Sequence, residues 1–91
     1  MKIRIRQAVA HFPAPFRLAS ADGLFPEGAY AIDVHETWSA SHSGSVYTRL
    51  ATFMHLPIIA DGKWTLRTVV VTDAEMATAI VGGEEVLVID R

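Results

Sequence analysis

Cysteine is absent from this 91-residue chain. That absence excludes disulfides, thiolate metal ligands and a cysteine nucleophile together. Long apolar runs are missing as well. Trp38–Thr48, among the longest stretches without a formal charge, is interrupted by serines and a glycine, far from the ~20 apolar residues that a membrane-spanning helix needs. There is no basic excess: 8 Lys and Arg stand against 10 Asp and Glu, for a formal net charge of −2, unlike the electrostatic footprint of a nucleic-acid binder. No Gly-x-Ser-x-Gly elbow occurs, and no His-x-His or His-x-x-x-His pair. At the N-terminus, Lys2, Arg4 and Arg6 alternate with Ile3 and Ile5 instead of preceding an apolar block, which argues against a signal peptide and for a cytoplasmic protein.

What is present is a hydrophobic content of 51% with 20% charged residues, the balance of a folded domain. A chain of this length forms one domain, residues 1–91, and buries only about 60–65% of the surface its unfolded form exposes. Charge is unevenly placed, with Lys2, Arg4 and Arg6 near the start and Glu84, Glu85 and Asp90 near the end. That asymmetry suits either steering of a partner or pairing between terminal strands.

Period-2 alternation dominates. Ile3 and Ile5 alternate with basic residues as in a strand with one buried face. Pro13 and Pro15 mark an extended connector. Phe16–Ala19 reads as a short strand closed by a turn at Ala21-Asp22-Gly23, and Phe25-Pro26-Glu27-Gly28 as a β-turn. From Ala29, Tyr30, Ile32 and Val34 fall on one face, with Ala31, Asp33, His35 and Thr37 on the other. The serines of Trp38–Ser45 predict a loop. Val46–Leu56 is apolar on both faces, which predicts a bent strand ended by Pro57. Asp61-Gly62 predicts a turn and Trp64–Val71 a further strand.

Thr72-Asp73-Ala74-Glu75 is a capping box. With Met76, Ala77, Ile80 and Val81 as an apolar stripe and Gly82-Gly83 as a stop, it predicts a helix over roughly 73–81. Val86–Ile89 predicts a short buried strand. Tyr30, Ile32, Val34, Leu50 and Ile80 are the expected shared core. The fold class that follows is mainly β, α+β by content: a small antiparallel β-barrel or rolled sheet of about five to six strands with one short C-terminal helix.

Pro26-x-Gly28-x-Tyr30-x-Ile32 leading to Glu36, Tyr47-x-Arg49-x-Ala51-Thr52-x-x-His55-Leu56-Pro57, and Val71 to Glu75 carry a resemblance. Over about two-thirds of its length the chain resembles a group of short, functionally uncharacterised bacterial proteins. The resemblance implies a bacterial origin and assigns no chemistry.

Three of the four histidines, His35, His42 and His55, lie on or beside the 25–57 hairpin. With Glu36 they are the obvious candidates for a metal, but His35 and Glu36 are strand neighbours that point to opposite faces, and zinc demands three or four convergent ligands. A serine hydrolase would recruit Ser41, Ser43 or Ser45 with His42 or His55 and Asp33, without the strand–helix elbow that exposes such a nucleophile. A single-strand nucleic-acid binder would use Lys2, Arg4, Arg6, Arg49 and Arg67 beside Tyr47, Phe53 and Trp64. Trp38, beside the serine-rich segment, is the expected interaction anchor.

These features favour a non-catalytic interaction or ligand-binding module. A metal-dependent enzyme using His35, His42 and His55, and a nucleic-acid-binding small barrel, are the alternatives. The expected binding residues are Trp38, His42, His35, His55 and Arg49. No catalytic residue, metal or cofactor is assigned. The expected partner is a protein, a second copy included, met at a sheet edge beside Trp38–Ser45.

Overall fold

The alternation that starts at Lys2 continues through Phe12, and it is the even-numbered set that turns inward. In the computed structural model, which describes residues 2–41 and 44–90, β1 (Lys2–Phe12) buries Ala8, Ala10 and Phe12. Arg4 and Arg6 therefore point to the same face as the core, and Ile3 and Ile5, the apolar pair of the sequence pattern, lie on the opposite face.

Two short strands, β2 (Phe16–Leu18) and β3 (Ala21–Phe25), follow the Pro13–Pro15 connector and, among the described residues, pair only with each other. The Asp22-Gly23 turn expected from sequence is not formed, because both residues lie within β3 and the chain reverses at Ala19-Ser20. The long strands are β4 (Gly28–Ser41), β5 (Gly44–Ala60), β6 (Lys63–Val71) and β7 (Ile80–Asp90). They pair with β1 in the antiparallel order β6-β5-β4-β1-β7. The mainly-β antiparallel expectation is met, with seven strands among the described residues in place of five or six. Among the described residues β6 and β7 do not pair, so no closed barrel is formed.

β4 shows the alternation read from its sequence. Tyr30, Ile32, Val34 and Glu36 are buried, and the residues between them are more exposed. Trp38 is not in a loop: β4 continues to Ser41, and Trp38 stands opposite Lys2 on one side and Tyr47 on the other. The bend expected of β5 has a bulge as its counterpart in the β4–β5 ladder. A bulge sets His35 opposite Ala51 but Glu36 opposite Arg49, leaving Leu50 as the extra residue. Leu50 is consequently 59% exposed, outside the core expected for it. Pro57 does not end β5, which pairs with β6 as far as Ala60. The last β4 partner of β5 is Met54, so Pro57 sits where only one neighbour asks for hydrogen bonds. Asp61 and Gly62, both at positive φ, make the tight turn into β6 as predicted.

Helix α1 (Asp73–Met76) has the predicted cap. Thr72 Oγ1 accepts from the Glu75 amide at 3.1 Å, and Glu75 Oε1 accepts from the Thr72 amide at 2.8 Å. The helix lasts one turn and does not reach residue 81, because Ile80 and Val81 are taken into β7 opposite His11 and Ala10. Ile80 is 69% exposed in place of joining the core. Gly82 and Gly83 open an irregularity in the β1–β7 ladder, with Gly83 at φ 63°, and do not cap a helix. Val86–Val88 form a strand as expected but are about half exposed, so the burial expected there is absent.

The core lies at one end of the inner face. Ile32, Met54 and Leu56 are fully covered there, with Val69 and Val71 beside them. The β2–β3 hairpin and α1 close over this end. Phe16 stacks on Phe12 at 3.9 Å and meets the Tyr30 ring edge-on at 5.1 Å. Tyr30 Oη donates to the Pro26 carbonyl at 2.7 Å, and Glu75 Oε2 accepts from the Ala19 amide at 2.6 Å, pinning hairpin to helix. The molecule is long, 52 × 26 × 23 Å, with a radius of gyration of 15.1 Å against about 12 Å for a compact domain of this length. No described helix is long and apolar enough to cross a membrane.

Candidate binding surface

Beyond the covered core, the inner face carries charge and aromatic rings. Glu36, 7% exposed, is the centre. Arg4 reaches its Oε1 at 2.8 Å and Arg6 reaches the same oxygen at 3.0 Å. β1 and β4 produce this arrangement directly, since Arg4 is the rung partner of Glu36 and Arg6 is two residues along the same face. Arg6 also contacts Glu84 of β7 at 3.2 Å, so the opposite charges of the two termini meet across the β1–β7 pair. Burial works against the Arg6 charge, but hydrogen bonding and proximity to Glu84 and Glu36 outweigh it and hold the guanidinium above its ordinary pKa. Arg49, brought opposite Glu36 by the bulge, pairs with Asp73 at the start of α1.

Two cations cover aromatic rings on this face. Arg4 lies 3.3 Å from the centre of the Tyr47 ring, and Lys2 lies 4.5 Å from that of Trp38. A cavity of about 310 Å³ adjoins the cluster, floored by Ala8, Ile32, Val34, Met76 and Val81 and rimmed by Arg6, Arg49 and Glu84. Its apolar floor and polar rim suit a small amphipathic group. Arg4, Arg6 and Arg49 each already have a carboxylate partner, so this face offers little uncommitted positive charge for a phosphate backbone.

The expected binding residues do not converge. Trp38 and Arg49 lie on the inner face, and Arg49 borders the cavity. His35 and His55 lie on the outer face, where His35 meets the Phe53 ring edge-on at 4.8 Å. His42, like Ser43, falls outside the described residues. Among the described residues no three His, Asp or Glu side chains are grouped to hold a metal. Of the proposed stacking residues, Phe53 belongs to the outer face and Tyr47 to the inner one, so they form no common platform.

Asp33 and His55, which a hydrolase would need, do meet. His55 Nε2 lies 2.9 Å from Asp33 Oδ2, and Nδ1 lies 3.0 Å from Thr68 Oγ1. The hydroxyl is a threonine on β6, not one of the hairpin serines, and none of the three residues lines the cavity. They occupy neighbouring positions on β4, β5 and β6, which is the geometry of a polar cross-strand ladder.

Sequence reasoning missed the Glu36 cluster and the apolar surface. Exposed Ile59 and Trp64 are rung partners near the tip of the β5–β6 hairpin, with Leu66 further along. Val86, Leu87 and Val88 form a second exposed group on β7. The Glu36 cluster had a usable signal, since alternate arginines at 4 and 6 demand an acid on the strand that pairs with them. The apolar surface had none, because exposed and buried valines look alike in sequence. No protein-family model matches the chain, and no curated protein or solved structure is significantly similar to it.

Proposed function

We propose that this protein is a non-catalytic interaction module that binds a protein partner through the uncovered apolar parts of its sheet. One observation carries the reading. The accessible surface is 6175 Å² for a 10.0 kDa chain, whereas a folded monomer of that mass is expected to expose about 5,200 Å². The surplus, on the order of 900 Å², is close to the ~800 Å² that one partner contributes to a standard interface. Large apolar side chains are among the exposed residues: Ile59 is 79% and Trp64 70% exposed. Large apolar side chains exposed in groups characterise binding sites more than free monomer surfaces. The cavity, lined from four strands and α1, supports reading the sheet as rolled around its inner face, with the outer face and the strand edges presented to the partner.

The test asks whether the exposed residues serve the fold or a partner. Ile59, Trp64 and Leu66 are replaced together by serine, and Val86 and Leu87 together in a second variant. Residues used for binding leave stability within about 0.5 kcal/mol per substitution, as surface changes do, and their loss lowers the fluorescence of a bound apolar dye such as anilinonaphthalene sulfonate. Destabilisation of the size seen for core truncation, or a native protein that binds no dye, overturns the reading.

A further inference from the structure

The sheet ends in edges of unequal character, and the difference identifies a partner. β6 is blunted in the ways that proteins protect an edge: it carries Lys63 and Arg67, and the Val70 carbonyl accepts a hydrogen bond from Ser20 Oγ at 2.5 Å. The first half of β5, which precedes its pairing with β6, carries Arg49, held by Asp73, and the bulge at Leu50. This is the edge beside the 38–45 hairpin on which sequence reasoning placed a partner. β7 pairs only with β1 among the described residues and contains neither proline nor any basic residue. The irregularity takes in Gly83 and Glu84, between the rungs Val9–Gly82 and Gln7–Glu85, and Glu84 is turned to Arg6. The rungs Arg6–Val86, Ile5–Leu87 and Arg4–Val88 then run without a break.

Resting on the interaction reading above, we propose that the partner is a second copy of this chain, joined β7 to β7 in antiparallel fashion across a two-fold axis. An antiparallel edge is its own complement under two-fold symmetry, the commonest symmetry of oligomers. The apolar run Val86-Leu87-Val88 then meets itself, its outward backbone groups gain partners, and the two five-stranded sheets become one of ten strands. Val86 and Val88 extend the inner face and Leu87 the outer one, so apolar surface is covered on both sides of the junction.

Sedimentation over about 1–300 μM, a range that brackets micromolar affinities, is the first measurement. The expected species is twice the 10.0 kDa chain mass. L87K weakens association about tenfold or more by placing a like charge on both sides of the axis, whereas T65K on β6 leaves it unchanged. Because the chain has no cysteine, V86C, L87C and V88C report proximity directly. Under mild oxidation at least one of them gives a cross-linked dimer, while T65C does not.

A wild-type protein that stays monomeric throughout, or a dimer broken by T65K and not by L87K, overturns the proposal. So does cross-linking through T65C with none through residues 86–88. A wild-type monomer whose serine variants remain stable and lose dye binding removes the self-pairing alone. The interaction reading fails separately, when the serine variant of Ile59, Trp64 and Leu66 unfolds.

Discussion

The two halves of the inner face are built by the same strands and differ in what covers them. At one half β1 and β4 supply Ala10, Phe12, Tyr30 and Ile32, and the β2–β3 hairpin with α1 closes over them. At the other half the same strands supply Arg4, Arg6, Glu36 and Trp38, and Glu36 is covered by the arginine side chains around it. Small and aromatic residues in the first half let a hairpin approach closely. The second half is filled by long side chains that lay their aliphatic stems on the sheet and keep their charges near water. The lesson is that a period-2 pattern specifies a face, and the element that lands on that face specifies whether it becomes core.

The strongest way to break this contrast is to truncate the covered half. Ile32→Ala is expected to destabilise the fold by about 2–5 kcal/mol, the range for a fully buried isoleucine; denaturant unfolding with an unchanged m-value would check it. Next comes the charged half. Glu36→Ala leaves two guanidiniums without their shared acceptor. The expected cost is about 3 kcal/mol, the lower end for a disrupted buried pair, because Arg4 and Arg6 side chains keep 23% and 26% of their surface in water. A Glu36→Gln variant retains an acceptor and loses less. A cost below about 1 kcal/mol for the alanine variant, typical of surface pairs, would mean that the open half is held together by something other than Glu36.

The cover itself can be loosened. Thr72→Ala removes the cap of α1 and is expected to cost about 1 kcal/mol, read as a lower melting temperature. Glu75 sharpens the same point through pH. The Thr72 amide, assisted by the Ala19 amide and the Thr72 hydroxyl, holds its carboxylate below the ordinary value of 4.5, against a smaller opposing effect of burial. A depressed folded-state pKa contributes stability that is complete above the unfolded value and is lost as pH falls through the folded one. Acid unfolding of Glu75→Gln should therefore show a shallower pH dependence below about pH 4.5. Smallest of all, Leu50→Ala at the bulge should change stability by no more than about 0.5 kcal/mol, since the side chain lies mostly in water; a loss of core size would place Leu50 back against the sheet.

Much of the secondary structure was legible from residues alone. The alternation of Tyr30, Ile32 and Val34, the Asp61-Gly62 turn and the Thr72–Glu75 capping box are each decided by contacts within a few residues, so local chemistry suffices. The buried face of β1 was not legible in this way, because Ile3 and Ile5 outrank alanines in hydrophobicity while Ala8 and Ala10 are the residues that the Phe12 and Tyr30 end covers. The length of α1 was not legible either. Ile80 and Val81 satisfy a helical stripe and a strand equally well, and the free edge of β1 claims them for β7. The candidate binding residues split for a related reason: Trp38 and Arg49 share a face with Glu36, while His35 and His55 belong to the other face. Register, a bulge at Leu50 and the choice of neighbouring strand all depend on chain segments far apart in sequence. The sequence by itself determined that this protein is an antiparallel β structure with one capped turn of helix. Only the tertiary structure decided which faces are covered, because burial arises between elements and a strand carries apolar residues without knowing what will meet them.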